Sequence, residues 1–388
     1  VLVPVSYNLR SLWVRRSSTL LTIIGIGATV AVLAGVLSLQ QGFATLFAES
    51  GRTDVAIFLR PGATNEGDSA FRKDKAQRLI KTLPEIRSDE NEQPLAGMEC
   101  YVAVRRNRVG GGETNVPVRG VEQRSFDIYG DGIRIVGGRR FKPGADEVIV
   151  GAKLSDRIED CRLGDVIVLN TAPLRVVGIF ESDGPFASEI WGDLDRMLNA
   201  LQRPSPNRVV AQLNDGVDVE ELNERVKDDK EVPAKVMTER EYLTSQTSAL
   251  SGTLLFLGAF LAIVMGTAAV FTATNTMLAA ISSRTHEIGI LLAAGFRPIP
   301  IFLSFLMEAL LLGLLGGLVG CLLSLPLNGI ETGATNFNTF TEVAFAFRVT
   351  PVVLMTAVTF SLVLGLFGGA IPAWRAARMV PVDALRRR

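Results

Sequence analysis

Four long apolar runs, at 19–43, 251–281, 301–326 and 351–374, constrain this 388-residue chain more than any other feature. Three of them hold no charged residue, and the third run holds one, Glu308. Each exceeds the roughly 20 residues that a helix needs to cross a hydrocarbon core of about 30 Å. Buried helices of soluble proteins rarely stay uncharged for so long, so the runs read as four transmembrane helices. The first run is also longer than the roughly 7–15 apolar residues of a secretory signal. It reads as an uncleaved anchor, although Arg15 and Arg16 precede it. An apolar content of 48% excludes a disordered chain.

Charge assigns sides to these crossings. The flanks 1–18, 282–300 and 375–388 carry ten basic and two acidic residues. Lys and Arg in short flanks favour the cytoplasm. Both termini and the 282–300 connection are therefore expected there, and 44–250 and 327–350 outside, in a multi-pass protein of the cell (inner) membrane. The outside segment 44–250 carries 29 basic and 35 acidic residues. The formal net charge of zero is thus the cancelled sum of a basic inner face and an acidic outer one. No basic excess points to nucleic acid.

The segment 44–250 is long enough for a folded domain. Short β-branched runs recur at 55–59, 102–104, 116–118, 133–136, 147–150, 166–169, 174–180 and 209–213, separated by turn residues such as Gly110-Gly111-Gly112. Helical patterns fall at 71–83, 153–158, 194–201 and 219–227. The fold class is therefore α-helical membrane protein, with a large α+β extracytoplasmic domain inserted between helices 1 and 2. Two subdomains are expected, with 202–207 a candidate boundary. The charges of 220–231 read as a solvated helix face. Asp156, Glu159, Asp160 and Asp165 lack the spacing of a calcium loop, so no metal site is expected. A Cys100–Cys161 disulfide is left open, and Cys321 reads as helix packing.

Thr238-Glu239-Arg240-Glu241 fits a capping box, with Thr238 as N-cap and Glu241 at N3. No proline follows until Pro298. A helix from Thr238 to about Arg284 would measure roughly 70 Å, more than the bilayer uses, and would form a stalk below the domain. Small residues recur at packing spacing: Gly27/Ala31/Gly35, Gly313/Gly317, Gly316/Gly320 and Gly365/Gly369. They predict close helix packing within or between subunits. The intramembrane acid Glu308 reads as snorkelling, or as hydrogen-bonded to a neighbouring helix, in preference to ion translocation. Residues 1–18 contain an interfacial amphipathic helix at 5–16. The connection 282–300 holds a short helix ending near Gly295, with Ile288, Leu291 and Leu292 on one face.

The run Arg284-Thr285-His286-Glu287-Ile288-Gly289-Ile290-Leu291-Leu292-Ala293-Ala294-Gly295-Phe296, followed by FLMEALLLGLLGGLVG at 305–320, resembles the signature of FtsX-like, MacB-type ABC transporter permeases. Pro372-Ala373-Trp374-Arg375-Ala376-Ala377-Arg378 and Pro381-Val382-Asp383-Ala384-Leu385-Arg386 are similar to the family's tail. The stretch 147–180 is similar to its periplasmic core domain. The resemblance implies a homodimer or paired permease driven by an ABC ATPase subunit. It also implies that the cytoplasmic helix docks on that ATPase, through Arg284, His286, Glu287, Ile288 and Gly289. Motion would pass along the long second helix to the outside domain, a process called mechanotransmission. A periplasmic adaptor, a lipoprotein carrier and membrane lipid are the further partners it suggests.

The chain has no Gly-Lys dipeptide, hence no phosphate loop of the G-x-x-x-x-G-K-[ST] type. No cofactor is expected on this chain, and ATP with Mg would sit on a partner ATPase. The chain itself is not expected to be catalytic. The first reading is a permease subunit that exports or extracts a substrate from the outer face. The alternative is a membrane-anchored sensor, scaffold or cell-wall hydrolase regulator without transport, which would not co-purify with an ATPase. An enzyme is disfavoured, because the outside domain has no histidine and no G-x-S-x-G motif.

Overall fold

The computed structural model describes residues 16–48, 51–295, 297–336 and 341–380. The interfacial helix expected at 5–16 lies, apart from Arg16, outside the described residues, as does the tail at 381–388. In chain order the first elements are α1 (Arg16–Ala48), β1 (Val55–Leu59), α2 (Lys73–Thr82), β2 (Ala96–Asn107), β3 (Glu113–Val121), α3 (Gln123–Tyr129), β4 (Arg134–Gly138), β5 (Glu147–Gly151) and α4 (Ala152–Ser155). Next come β6 (Val166–Leu169), β7 (Ala172–Glu181), β8 (Ile190–Asp193), α5 (Leu194–Ala200), β9 (Arg208–Gln212), α6 (Val219–Lys227) and β10 (Lys235–Thr238). The last are α7 (Glu239–Ser282), α8 (Thr285–Ala293), α9 (Pro298–Ser324), β11 (Glu331–Asn336), β12 (Thr341–Ala346) and α10 (Pro351–Ala377).

Two compact units result. The helical unit comprises the described residues up to Gly42, then Gly252–Ile330, then those from Ala346 onward. The α/β unit comprises Phe43–Ser251 and Glu331–Phe345. Among the described residues, four helices are long and apolar enough to cross a membrane: Arg16–Leu46, Ser251–Ser282, Pro298–Leu327 and Pro351–Ala377.

In the helical unit, glycines set the closeness of packing. A Cβ on Gly313 would lie 2.7 Å from the Ser361 carbonyl oxygen, and one on Gly365 would lie 2.7 Å from that of Ala309. Gly317 faces the Ser361 hydroxyl and Gly369 the Ala309 side chain, each too close for an added methyl group. On the other side of α9, a Cβ on Gly316 would meet Ile26 at 2.7 Å, and one on Gly320 would meet Val30 at 2.6 Å. The Gly313/Gly317 pair therefore seats α9 on α10, and the Gly316/Gly320 pair seats it on α1. Such close approach maximises van der Waals contact where lipid offers no hydrophobic drive. All six glycines pack within one chain. Cys321 is buried beside Ile26, Val30 and Ala357, as a packing residue.

The α/β unit is built on one ten-stranded sheet in the order β10-β1-β9-β2-β3-β8-β5-β7-β4, with β6 added on β7. The pairs β3–β8 and β5–β7 are parallel and the others antiparallel. Successive side chains along a strand point to opposite faces, and the sheet has two apolar cores accordingly. Ala56, Phe58, Val118, Val148, Val150, Ile190, Val209 and Ala211 enter one core. Val55, Val121, Ile149, Trp191 and Val210 enter the other.

This single sheet corrects the expectation of two subdomains. Residues 202–207 only connect α5 to β9, and Phe71 donates its N–H to the Pro206 carbonyl at 2.9 Å. Strands β8 and β10 and helix α3 were not anticipated. Nor was the hairpin β11–β12 within 327–350. Its Phe345 is buried edge-on against Phe43 at 5.2 Å, and its Ala344 N–H donates to Ser188 Oγ at 3.3 Å. Cys100 and Cys161 are both buried and free, so the disulfide left open does not form. Of the acids weighed as cation ligands, Asp160 pairs with Arg106 at 3.4 Å and Asp156 with Arg162 at 3.6 Å. In α6, Leu222 and Val226 are buried and the charged residues face solvent.

Candidate functional site

Helix α8 follows α7 after a two-residue break. Its Ile288 is buried with Met277, Ile281, Ile301 and Phe305, and Leu291 and Leu292 pack on the same cluster. Gly289 is buried as well. Gly295, at φ +90°, reverses the chain beyond α8, a backbone region that glycine enters without penalty. The five candidate docking residues thus divide. His286 and Glu287 are exposed, whereas Ile288 and Gly289 turn into their own bundle. Arg284 is mostly buried and pairs with the intramembrane acid Glu308 at 3.6 Å. A charge in an apolar span is costly unless paired, and this pair explains how α9 tolerates Glu308.

The opposite end of α7 is tied to the α/β unit. Thr238 Oγ1 accepts from Glu241 N at 3.1 Å, and Glu241 accepts from Thr238 N at 2.9 Å, completing the capping box. Glu239 accepts from Arg52 N at 3.0 Å. Tyr242 Oη accepts from Glu66 N at 3.2 Å, and Gln246 donates to the Thr64 carbonyl at 2.9 Å. Gly51 abuts the Arg240 backbone, where an added Cβ would lie 2.5 Å from Cα. Arg52 grips Asp54 through its guanidinium, a bond that holds the carboxyl down at about 2.

Behind these anchors lies a buried ionic network that sequence reading missed. Cross-strand register pairs Glu99 with Arg208 and Arg119 with Trp191. All four, with Glu189, fall on the Trp191 face of the sheet. Arg119 forms two-bond forks with Glu66 (2.6 and 2.9 Å) and Glu189 (2.7 and 2.9 Å), and also reaches Glu99 at 3.2 Å. Arg208 binds Glu99 at 2.7 Å and the Tyr129 hydroxyl at 2.9 Å. Ser125 donates to Glu99 and Trp191 Nε1 to Glu189. All five charged side chains are at most 6% exposed.

Three carboxylates face two guanidinium groups, so full ionisation would leave one uncompensated buried charge. Burial pushes the Glu189 carboxyl above its usual range, against the pull of Arg119. Burial also acts on Glu66, but Arg119 and Arg208 together outweigh it and lower that group. Glu239 is raised by burial. Glu189 is thus a network carboxyl held above its usual range, by burial.

A pH signature follows. Above the ordinary carboxyl value near 4.3, the native state keeps a proton that the unfolded chain has released. The stability this supplies is full at low pH and is lost as pH rises from about 4 through the folded value. Glu189→Gln keeps the shape and the acceptor for Trp191, and is expected to flatten that fall by roughly one proton's worth of slope. Melting curves of the whole protein between pH 4 and 8 read it. An unchanged slope would place the proton elsewhere.

The sequence matches two family models, the MacB-like periplasmic core domain over residues 19–229 and the FtsX-like permease C-terminal domain over residues 259–381. It is 25% identical to the macrolide export ATP-binding/permease protein MacB of Neisseria gonorrhoeae, over 97% of this chain and 60% of that protein. It is 28% identical to the Escherichia coli protein of the same name, over 97% of this chain and 59% of that one. The chain thus spans about 60% of the length of these relatives. Among solved structures, the periplasmic region of MacB from Actinobacillus actinomycetemcomitans matches with a TM-score of 0.37 at 14% identity, covering 50% of this chain and 92% of that one. With the core-domain model covering more than half its length, four apolar helices and an α/β domain between the first two, the chain belongs to the FtsX-like ABC transporter permeases with a MacB-like periplasmic core domain.

Proposed function

We propose that this chain is a permease subunit that relays ATP-driven motion to its extracytoplasmic domain, to export a substrate or extract it from the outer face of the membrane. An ABC ATPase outside these 388 residues supplies the motion and holds ATP and Mg. A second permease, identical or paired, completes the membrane part, and a periplasmic adaptor or lipoprotein carrier receives the substrate. Both termini lie in the cytoplasm.

The observation that carries this reading is α7, one unbroken helix of 44 residues. At about 1.5 Å per residue it is roughly 66 Å long, about twice a hydrocarbon core. Its first turns hold the network-linked Glu239 and Tyr242, and its last turn leads into α8 with exposed His286 and Glu287. A continuous hydrogen-bonded helix resists axial compression, so a displacement at one end arrives at the other.

Inserting two glycines next to Ser248 tests the relay. In a complex with its ATPase, the variant is expected to assemble and hydrolyse ATP, while export falls to background. Glu287→Ala acts at the other end and is expected to lower ATP turnover. Full export by the glycine variant would sink the relay.

A further inference from the structure

The helical unit contains a half-polar cleft of about 210 Å³ at the end that carries α8. Its polar half is formed by Ser18, Thr19 and Thr22 of α1, Thr276 of α7, Ser283 beyond it, and Glu308 of α9, and its apolar half by residues such as Met277 and Leu312. This volume is far above the ~10–15 Å³ that one water needs.

The cleft presents mainly acceptors. Thr22 Oγ1 lies 3.0 Å from the Ser18 carbonyl and 3.1 Å from Thr276 Oγ1. Thr276 Oγ1 lies 3.1 Å from the Thr272 carbonyl, and Ser283 Oγ lies 3.0 Å from that of Ala280. A hydroxyl has one proton and two lone pairs. Protons directed at backbone carbonyls leave lone pairs for the cleft. Glu308, 5% exposed, adds a carboxylate that only accepts when ionised. Arg284 holds this carboxylate at 3.6 Å, longer than the ~2.7–2.9 Å of a tight charge-assisted bond.

Hydroxyls grouped beside one carboxylate, with apolar Met277 and Leu312 alongside, complement a compact cation rich in N–H donors carried on an apolar chain. A primary ammonium has three donors and one charge. Depth favours a membrane source. Thr22 lies six residues into α1, and Thr276 six residues before the end of α7. At 1.5 Å per residue, both sit about 9 Å from their helix ends, and Glu308, ten residues into α9, about 15 Å from its own, so the cleft runs from the headgroup layer into the hydrocarbon.

We propose that this cleft binds the primary ammonium of an aminophospholipid headgroup, which competes with Arg284 for Glu308. Lipid occupancy would thereby loosen the residue that introduces α8. The inference is independent of the relay proposed above.

The test is native mass spectrometry of the whole protein titrated with phosphatidylethanolamine, phosphatidylcholine or phosphatidylglycerol. Phosphatidylcholine keeps the charge but has no N–H donors. The expected result is phosphatidylethanolamine retained about tenfold more tightly than the other two, as loss of charge-assisted hydrogen bonds requires. Glu308→Gln should abolish the preference. The double variant Thr22→Val, Thr276→Val leaves the Arg284–Glu308 pair in place and should reduce it, with melting curves confirming that both variants are folded. Equal retention of the three lipids by the unaltered protein overturns the proposal. Displacement of phosphatidylethanolamine by millimolar ethanolamine would assign the cleft to a soluble amine and overturn the lipid source. A preference that survives in folded Glu308→Gln overturns the site.

Discussion

Replacing Arg119 by leucine is expected to cost the α/β unit about 3–5 kcal/mol, the usual loss when one partner is taken from a buried ion pair. Arg119 is 1% exposed and holds Glu66 and Glu189 by two bonds each. Without it, Arg208 alone faces three buried carboxyl groups. Replacing Arg119 and Glu189 together by leucine removes a buried cation with one of the carboxyl groups it holds, so that pair should cost less than the sum of the single changes. A coupling of about 1–3 kcal/mol between the two sites is the expected reading of the double-mutant cycle. Denaturant unfolding of the whole protein measures it. A loss below about 1 kcal/mol for Arg119→Leu would show that the network is dispensable. The stability of this network also bears on the proposed relay, because the Glu66 N–H donates to the Tyr242 hydroxyl at the start of α7.

Trp191→Ala is expected to cost about 3–5 kcal/mol. Trp191 is fully buried, with ring centroids of Phe180, Phe186, Tyr129 and Phe126 at 5.3, 5.4, 5.7 and 6.0 Å. The change opens a cavity among four aromatic rings and removes the donor at 2.7 Å from Glu189. In a unit of roughly 200 residues, each kcal/mol is worth about 2–4 °C, so the melting point should fall by roughly 6–20 °C. Trp374→Ala is the contrast, since Trp374 is 52% exposed. A similar shift from both would sink the assignment of Trp191 as the centre of that core.

The membrane part was legible because its signal is long and local. Uncharged runs of more than 20 residues, the Thr238/Glu241 box and the glycine pairs each state their structure within a few turns. The capping box formed, and the helix it begins runs to Ser282, close to the expected end near Arg284. The central strands were legible from their β-branched runs. Strand β8 was hidden because Ile190-Trp191-Gly192-Asp193 is four residues long with only two apolar ones, and β10 because Lys235 and Thr238 flank two. The network was hidden for a different reason. Its paired charges are 20 to 142 residues apart in the chain, and a lone Arg or Glu is usually solvated. A clue existed in each case: Glu99 between Met98 and Cys100, Arg119 after Val118, Arg208 before Val209 and Val210. Charges inside apolar strands ask for partners. Only the strand order, with β9 beside β2 and β3 beside β8, shows which partners they find. Helix α8 was half legible. Its buried face follows from helical periodicity, but the pairing of Arg284 with Glu308 needs the fold of α7 against α9.

One consequence of the strand order concerns how such proteins diversify. Strand β1 opens the inserted domain and β10 closes it, and the two lie side by side, with Ala56 opposite Thr238 and Leu59 opposite Lys235. Neighbouring strands are about 4.8 Å apart. The sheet's first and last strands in this segment are therefore neighbours, whatever the length of chain between. It is a cassette with adjacent terminals. Loops, strands or a whole surface can be exchanged between those two strands without separating them, and grafting a foreign domain needs only two ends that emerge from neighbouring strands.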